Sequence, residues 1–299
     1  MSTHKRHHYV PRFYLERWAR QDNKIGYYHW ANGQLIYRRI GPKGAAVEEG
    51  LYSLQEPHRG NSQAIETDFF TPRIDGPGAQ VIAGLVEISG PVDTLNPEQR
   101  QVMSNYLIAQ RYRSPDYISH VKGQGDDAAT GIIERHEEEY LAARAESDPP
   151  TLEGWMELKG INLSDQLGVG LLPDLLSISE GGEKISSMSW HVLNVSTSRR
   201  DLLTSDRPVI FSHGIGLPEC VIILPLSPQR LFLAANDRAR LRRIVSRDLD
   251  SVVTNLNFDI VRQAARYVFS TDEKAHRFVE KHLSRPEQRK LPKFHILQR

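Results

Sequence analysis

One cysteine among 299 residues, Cys220, excludes an intrachain disulfide and any cysteine-based zinc site. It stands at the head of the strand-like run Cys220-Val221-Ile222-Ile223-Leu224, a setting for a buried, inert thiol rather than a nucleophile. The same region, to Leu226, is the most apolar of the chain. A membrane-spanning helix needs about eighteen apolar residues in succession, and no such run exists. The N-terminus has neither an apolar signal core nor a small-residue cleavage site, so the cytoplasm is the expected compartment. Catalytic signatures are sparse too. Ser205 has no Gly-x-Ser-x-Gly around it, which argues against an α/β-hydrolase nucleophile. Gly168-Val169-Gly170 and Gly214-Ile215-Gly216 lack a third glycine, and no Gly-Lys-Ser/Thr loop is present, so ATP or NAD dependence is not expected. His136-Glu137-Glu138-Glu139 is followed by Tyr140 where a zinc protease would carry its second histidine.

What is present is segregated charge. The net charge of +1 hides nine basic against two acidic side chains in residues 1–43, and sixteen against eight in 229–299. Residues 123–190 reverse the sign, with four basic against fourteen acidic. Two basic ends meeting in the fold would make a surface for an anionic partner beside an acidic segment.

The coarse pattern predicts an α+β fold. Lys24–Trp30 and Leu35–Ile40 flank Asn32-Gly33 and read as a β-hairpin. Residues 61–88 read as two short helices interrupted at Pro72 and Gly76-Pro77-Gly78. Asn96-Pro97 caps a long helix to about Arg113, and a second, acid-rich helix is expected from about Asp126 to Ala145. Short β-rich runs between 189 and 235 predict a small, mostly antiparallel sheet, with helices beyond Asn236 and a basic tail from Arg285 that is either loose or a further strand. Strands and helices fall in blocks rather than alternating, within one unit spanning 1–299 and a candidate helical, acidic insertion at 123–188.

The densest motif is His7-His8-Tyr9-Val10-Pro11-Arg12-Phe13-Tyr14-Leu15-Glu16-Arg17-Trp18. Its imidazoles can exchange a proton near neutral pH, and Arg12 and Arg17 can hold a phosphate. Equally, Tyr14 and Trp18 are four residues apart and can form the core face of a short helix. This motif, with Leu51-Tyr52, Ile65-Glu66, Gln110–Arg113, Thr204-Ser205-Asp206-Arg207-Pro208, Pro225-Leu226-Ser227-Pro228, Asn257 and Arg266-Tyr267-Val268-Phe269-Ser270, resembles the microbial domain-of-unknown-function family 4238 over nearly the whole chain. Members of that family look like Thr-Ser-Asp-Asn-Pro where this chain has Arg207. The resemblance implies a single unit and no particular reaction. The start also resembles, weakly, the His-His-x-Val-Pro opening of His-Asn-His nucleases, without the Asn and His that should follow.

The resulting expectation is a phosphodiesterase acting on nucleic acid, RNA included, with His8 or His7 as general base and Glu66 or Asp206 orienting it or holding a divalent metal ion. Arg12, Arg17 and Arg113 would bind phosphate. The alternative is a non-catalytic binding or sensor module built on the same basic and aromatic residues.

Overall fold

The computed structural model describes residues 6–56, 60–177 and 180–288; the end of the basic tail, from 289, lies outside them. It is an α+β chain whose contacts gather into two compact units, one of 1–7, 48–73 and 115–178, the other of 8–47, 74–114 and 179–299.

The first unit is mainly helical. Its longest element runs from Pro115 to Ala143, eleven residues earlier than the acidic pattern predicts. The early turns are recruited by Tyr117, Ile118 and Val121, which are buried, whereas the Glu-rich end is the exposed part. Shorter helices follow at Leu152–Leu158, Leu163–Leu167 and Leu172–Ser177. An aromatic cluster, with Tyr52 tilted against Phe70 and Phe70 edge-on to Phe69, fills another part of this unit.

The second unit holds the two larger sheets, and the first unit has a two-stranded one of Leu54–Glu56 with Gly60–Ser62. The strands Ile25–Ala31 (β1) and Gln34–Ile40 (β2) form the expected hairpin, and Asn32 and Gly33 at φ of 50° and 75° supply the left-handed turn that suits it. Further strands are Gly90–Pro91 (β3), Ser189–Asn194 (β4), Thr204–Ser205 (β5), Ile210–Phe211 (β6), Val221–Ser227 (β7), Arg230–Ala235 (β8) and Val268–Ser270 (β9). One sheet has the order β6-β7-β8-β4-β3 and the other β2-β1-β9-β5, and their pairings are antiparallel. The hairpin thus gains two short strands from remote sequence, which no local pattern announces.

The helices of this unit are Arg12–Leu15 (α1), Gly76–Leu85 (α2), Pro97–Tyr112 (α3), Glu180–Ser187 (α4), Arg238–Val245 (α5), Leu249–Gln263 (α6) and His276–His282 (α7). The start of α3 follows its sequence closely, since Asn96 accepts from the Gln99 amide and the Gln99 side chain accepts from Asn96 N–H. Residues 65–85 correct the expected break. Pro72 sits inside a wide π-type helix, Ile65–Asp75, and α2 follows it directly from Gly76.

The core joins both sheets of this unit to α5, α6 and α7 through Tyr28, Leu35, Leu202, Leu231, Leu233, Leu241, Val253, Leu256, Ile260 and Val279. Asn257 of α6 is buried among them and ties the loop before β5, donating to Asp201 O at 2.9 Å and accepting from Leu203 N–H at 2.8 Å.

Candidate functional site

The N-terminal motif is ordered and turned inward. Pro11 precedes α1, a single helical turn that continues as a tighter turn to Trp18, and Tyr14, Leu15 and Trp18 are wholly buried. Their polar atoms find partners, as buried phenol and indole groups require. Tyr14 Oη donates to Pro225 O at 2.7 Å and lies 2.8 Å from Thr204 Oγ1, and Trp18 Nε1 donates to Leu202 O at 2.9 Å. The motif is therefore pinned to β5, β7 and the loop before β5.

The other predicted residues divide sharply. His7, in the first unit, is fully buried and stacked on Tyr52 at 5.2 Å. Its Nδ1 accepts from Tyr52 N–H at 2.9 Å and its Nε2 bonds to Gln63 Oε1. Both nitrogens are thus committed, and a proton-transfer role would break one of these bonds. Glu66 belongs to the same unit, half-buried in the first turn of the π-type helix.

Asp206 is buried in the second unit and accepts three backbone N–H groups, from Ala265 at 2.8 Å, Arg266 at 2.6 Å and Tyr267 at 3.1 Å. Burial pushes its pKa up against the opposing pull of those donors and of Arg207. Both oxygens hold the turn leading into β9, which is the work the Thr-Ser-Asp segment does here. Arg12 is exposed and paired with Glu16 one turn on, at 2.7 Å.

Three predicted residues do gather in one place. Arg113 has no exposed surface and donates from Nη1 to Asp75 Oδ1 at 2.6 Å and from Nη2 to the His8 carbonyl at 2.7 Å. His8 itself is half-buried, with its backbone fixed by that bond. Arg17 is half-buried near the phenols of Tyr106 and Tyr14, and burial lowers its pKa while those phenols and Glu87 raise it.

Tyr106, Gln110 and Arg113 recur at i, i+4 and i+7, so α3 and its cap present them along one stripe. Tyr106 is buried with Phe13 against its ring at 5.9 Å, and Gly78 of α2 approaches so closely that a Cβ there would lie 2.9 Å from Tyr106 Cδ2. Burial, with Tyr14 and Asp75 nearby, holds the Tyr106 hydroxyl far above the usual phenol range, hence protonated. Tyr106 Oη, both polar atoms of the Gln110 amide and Arg17 Nε are buried with no hydrogen-bond partner among the described residues. Sequence reasoning noted Gln110 only as part of a motif and missed Tyr106 and Asp75. The available signal was a polar stripe through the otherwise apolar, buried half of α3.

Among the described residues, no group of three or more His, Cys, Asp or Glu side chains could hold a metal ion, and no helix is long and apolar enough to cross a membrane. A family model described as Protein of unknown function (DUF4238) matches residues 6–274. No curated protein and no solved structure matches.

Proposed function

The chain belongs to the DUF4238 family of proteins of unknown function, and from its own geometry we propose that it is a binding module whose N-terminal motif frames a site for a small polar ligand at Tyr106, Gln110 and Arg17. The observation that carries this reading is the buried Gln110 amide, which offers a donor beside an acceptor and has neither satisfied among the described residues. A buried polar group left unpaired costs about 1–3 kcal/mol, and a ligand that completes its hydrogen bonds recovers that cost. A side-by-side donor and acceptor matches a ligand edge with the reverse pair, as a glutamine matches the edge of an adenine base. The Arg17 Nε–H adds a donor for an anionic or carbonyl oxygen. Nucleoside monophosphates, which combine such an edge with an anion, are the first probes.

The test is thermal unfolding of wild-type protein and Gln110→Leu with each of the four ribonucleoside monophosphates. The wild-type melting temperature should rise with at least one of them. The Gln110→Leu protein should be at least as stable without ligand and should not respond. Absence of any shift in the wild type, or an equal shift in both proteins, rejects the reading.

A phosphodiesterase with His8 as general base is the second reading, favoured by the clamp that Arg113 places on the His8 carbonyl, which fixes the backbone carrying the imidazole. His8→Ala should then abolish cleavage of single-stranded RNA while leaving the circular dichroism spectrum unchanged. Parent-like cleavage by the alanine variant would remove the base.

A further inference from the structure

We propose that α5 is a docking ridge for double-helical DNA, with the two phosphate strands lying along its flanks. Residues 238–247 contain five arginines and no acidic residue. Arg238, Arg242, Arg243 and Arg247 are exposed and Arg240 is half-buried, whereas Leu241 is buried and Ile244 and Val245 are half-buried beneath. The helix is therefore seated on the core by its apolar side and shows its cationic side outward.

The shape on either side is what distinguishes this helix from an ordinary solvated one. A recess of about 480 Å³ runs along one flank, with Arg240, Arg243 and Arg247 on its rim. A second, of about 580 Å³, runs along the other flank, with Arg238 and Arg242 on its rim. The helix stands as a ridge between two recesses, each edged by arginine. The ridge crest includes Ala239, exposed and too small to hold a partner away.

An α-helix with its side chains is about 10–12 Å across, and the major groove of B-form DNA is about 12 Å wide, so a ridge of this kind enters the groove while its flanks meet the two backbones. A-form RNA offers only a deep, narrow major groove, which a helix does not enter in this way. The opposing charges are few and engaged or recessed. Asp237 caps the helix by accepting Ala239 N–H at 2.7 Å, with Arg243 only loosely paired to it at 3.8 Å. Asp248, just beyond the helix, caps α6 by accepting Ser251 N–H at 2.9 Å. Asp259 lines the first recess, where burial raises its pKa, and Asp93 lines the second. Arg100, also in the second recess, already donates to Ser186 O and Met188 O and is not counted among the contacts.

The experiment is fluorescence anisotropy of a labelled blunt duplex of about 20 base pairs, roughly two turns, against the full chain over a range of salt. Wild-type protein should bind at low salt and weaken steeply as salt rises. The combined substitution R238Q/R242Q/R243Q/R247Q should reduce affinity more than tenfold and flatten the slope of log K against log salt by about 3.6, since each lost phosphate contact removes about 0.9. R73Q/R135Q, which removes two exposed arginines elsewhere, should bind as the wild type does. Should the fourfold variant melt early, Arg242→Gln and Arg243→Gln singly should each lower the slope by about one. The proposal falls if the wild type does not bind the duplex, if the fourfold variant binds equally well, or if duplex RNA or phosphatidylserine vesicles are bound through these arginines in preference to DNA.

Discussion

Two arginine–aspartate pairs of almost equal length hold very different places in this protein. Arg113 and Asp75 meet at 2.6 Å with side-chain exposures of 0% and 16%, and Arg199 and Asp250 meet at 2.5 Å with exposures of 82% and 23%. The contact distance is the same; the surrounding solvent is not. A buried guanidinium has surrendered its hydration and depends on every partner it retains, whereas an exposed one exchanges protein for water at little cost. Arg113 is therefore a strut that joins α3, the residue before α2 and the backbone of the N-terminal motif.

The largest effect should come from breaking the buried pair on one side. Asp75→Ala takes its carboxylate away from the buried Arg113 guanidinium, and should cost about 3–5 kcal/mol in urea unfolding. Replacing both partners, as Asp75→Leu with Arg113→Met, should recover much of that loss, because two apolar side chains of similar volume leave no stranded charge. A single substitution costing less than about 1 kcal/mol would mean that Arg113 is solvated after all.

Next in size is Tyr14→Phe. It removes the hydroxyl that reaches both Thr204 and the Pro225 carbonyl from a fully buried ring, and stranding these partners should cost about 1–3 kcal/mol by the same measurement. At the surface, Arg199→Ala should cost no more than about 1 kcal/mol, since its guanidinium is mostly in solvent. A loss as large as that at Asp75 would erase the contrast between the pairs.

These two pairs also mark what could be read in advance. The hairpin was legible because Asn32-Gly33 and the alternation on each side lie within sixteen residues, and α3 was legible because its cap is written in Asn96, Pro97 and Gln99. The motif from Tyr9 to Trp18 was legible as a buried face from its aromatic spacing. Its chemistry was not, because the partners are distant. Arg113 meets a carboxylate 38 residues away, and Asp206 spends its oxygens on amides about 60 residues on. The two short strands β5 and β9 are paired to one another and to the hairpin by contacts that carry no local period. A basic residue looks the same in sequence whether it ends as strut or as surface, so Arg12, Arg17 and Arg113 could be proposed together and yet occupy three different environments.

The smallest effect concerns acid, and it tests which part of Arg199 matters. Asp250 accepts from the Arg199 backbone N–H at 2.7 Å, from its Nε at 2.5 Å and from Ser198 Oγ at 2.9 Å. These donors hold its pKa down to about 2 from an ordinary value of 3.8, with the backbone N–H the strongest influence. A carboxyl with a depressed folded pKa contributes stability that is complete above the unfolded pKa and is lost as pH falls toward the folded one. This contribution should therefore fade between about pH 5 and about pH 2, and Asp250→Asn should show a shallower acid dependence of the urea midpoint over that range. Arg199→Ala deletes the guanidinium but leaves the backbone donor and Ser198. Carboxyl NMR titration of that variant should find Asp250 still below 3.8, moved only part of the way back. A full return to the ordinary value would show that the side-chain charge, rather than the folded backbone, sets the acidity of this pair.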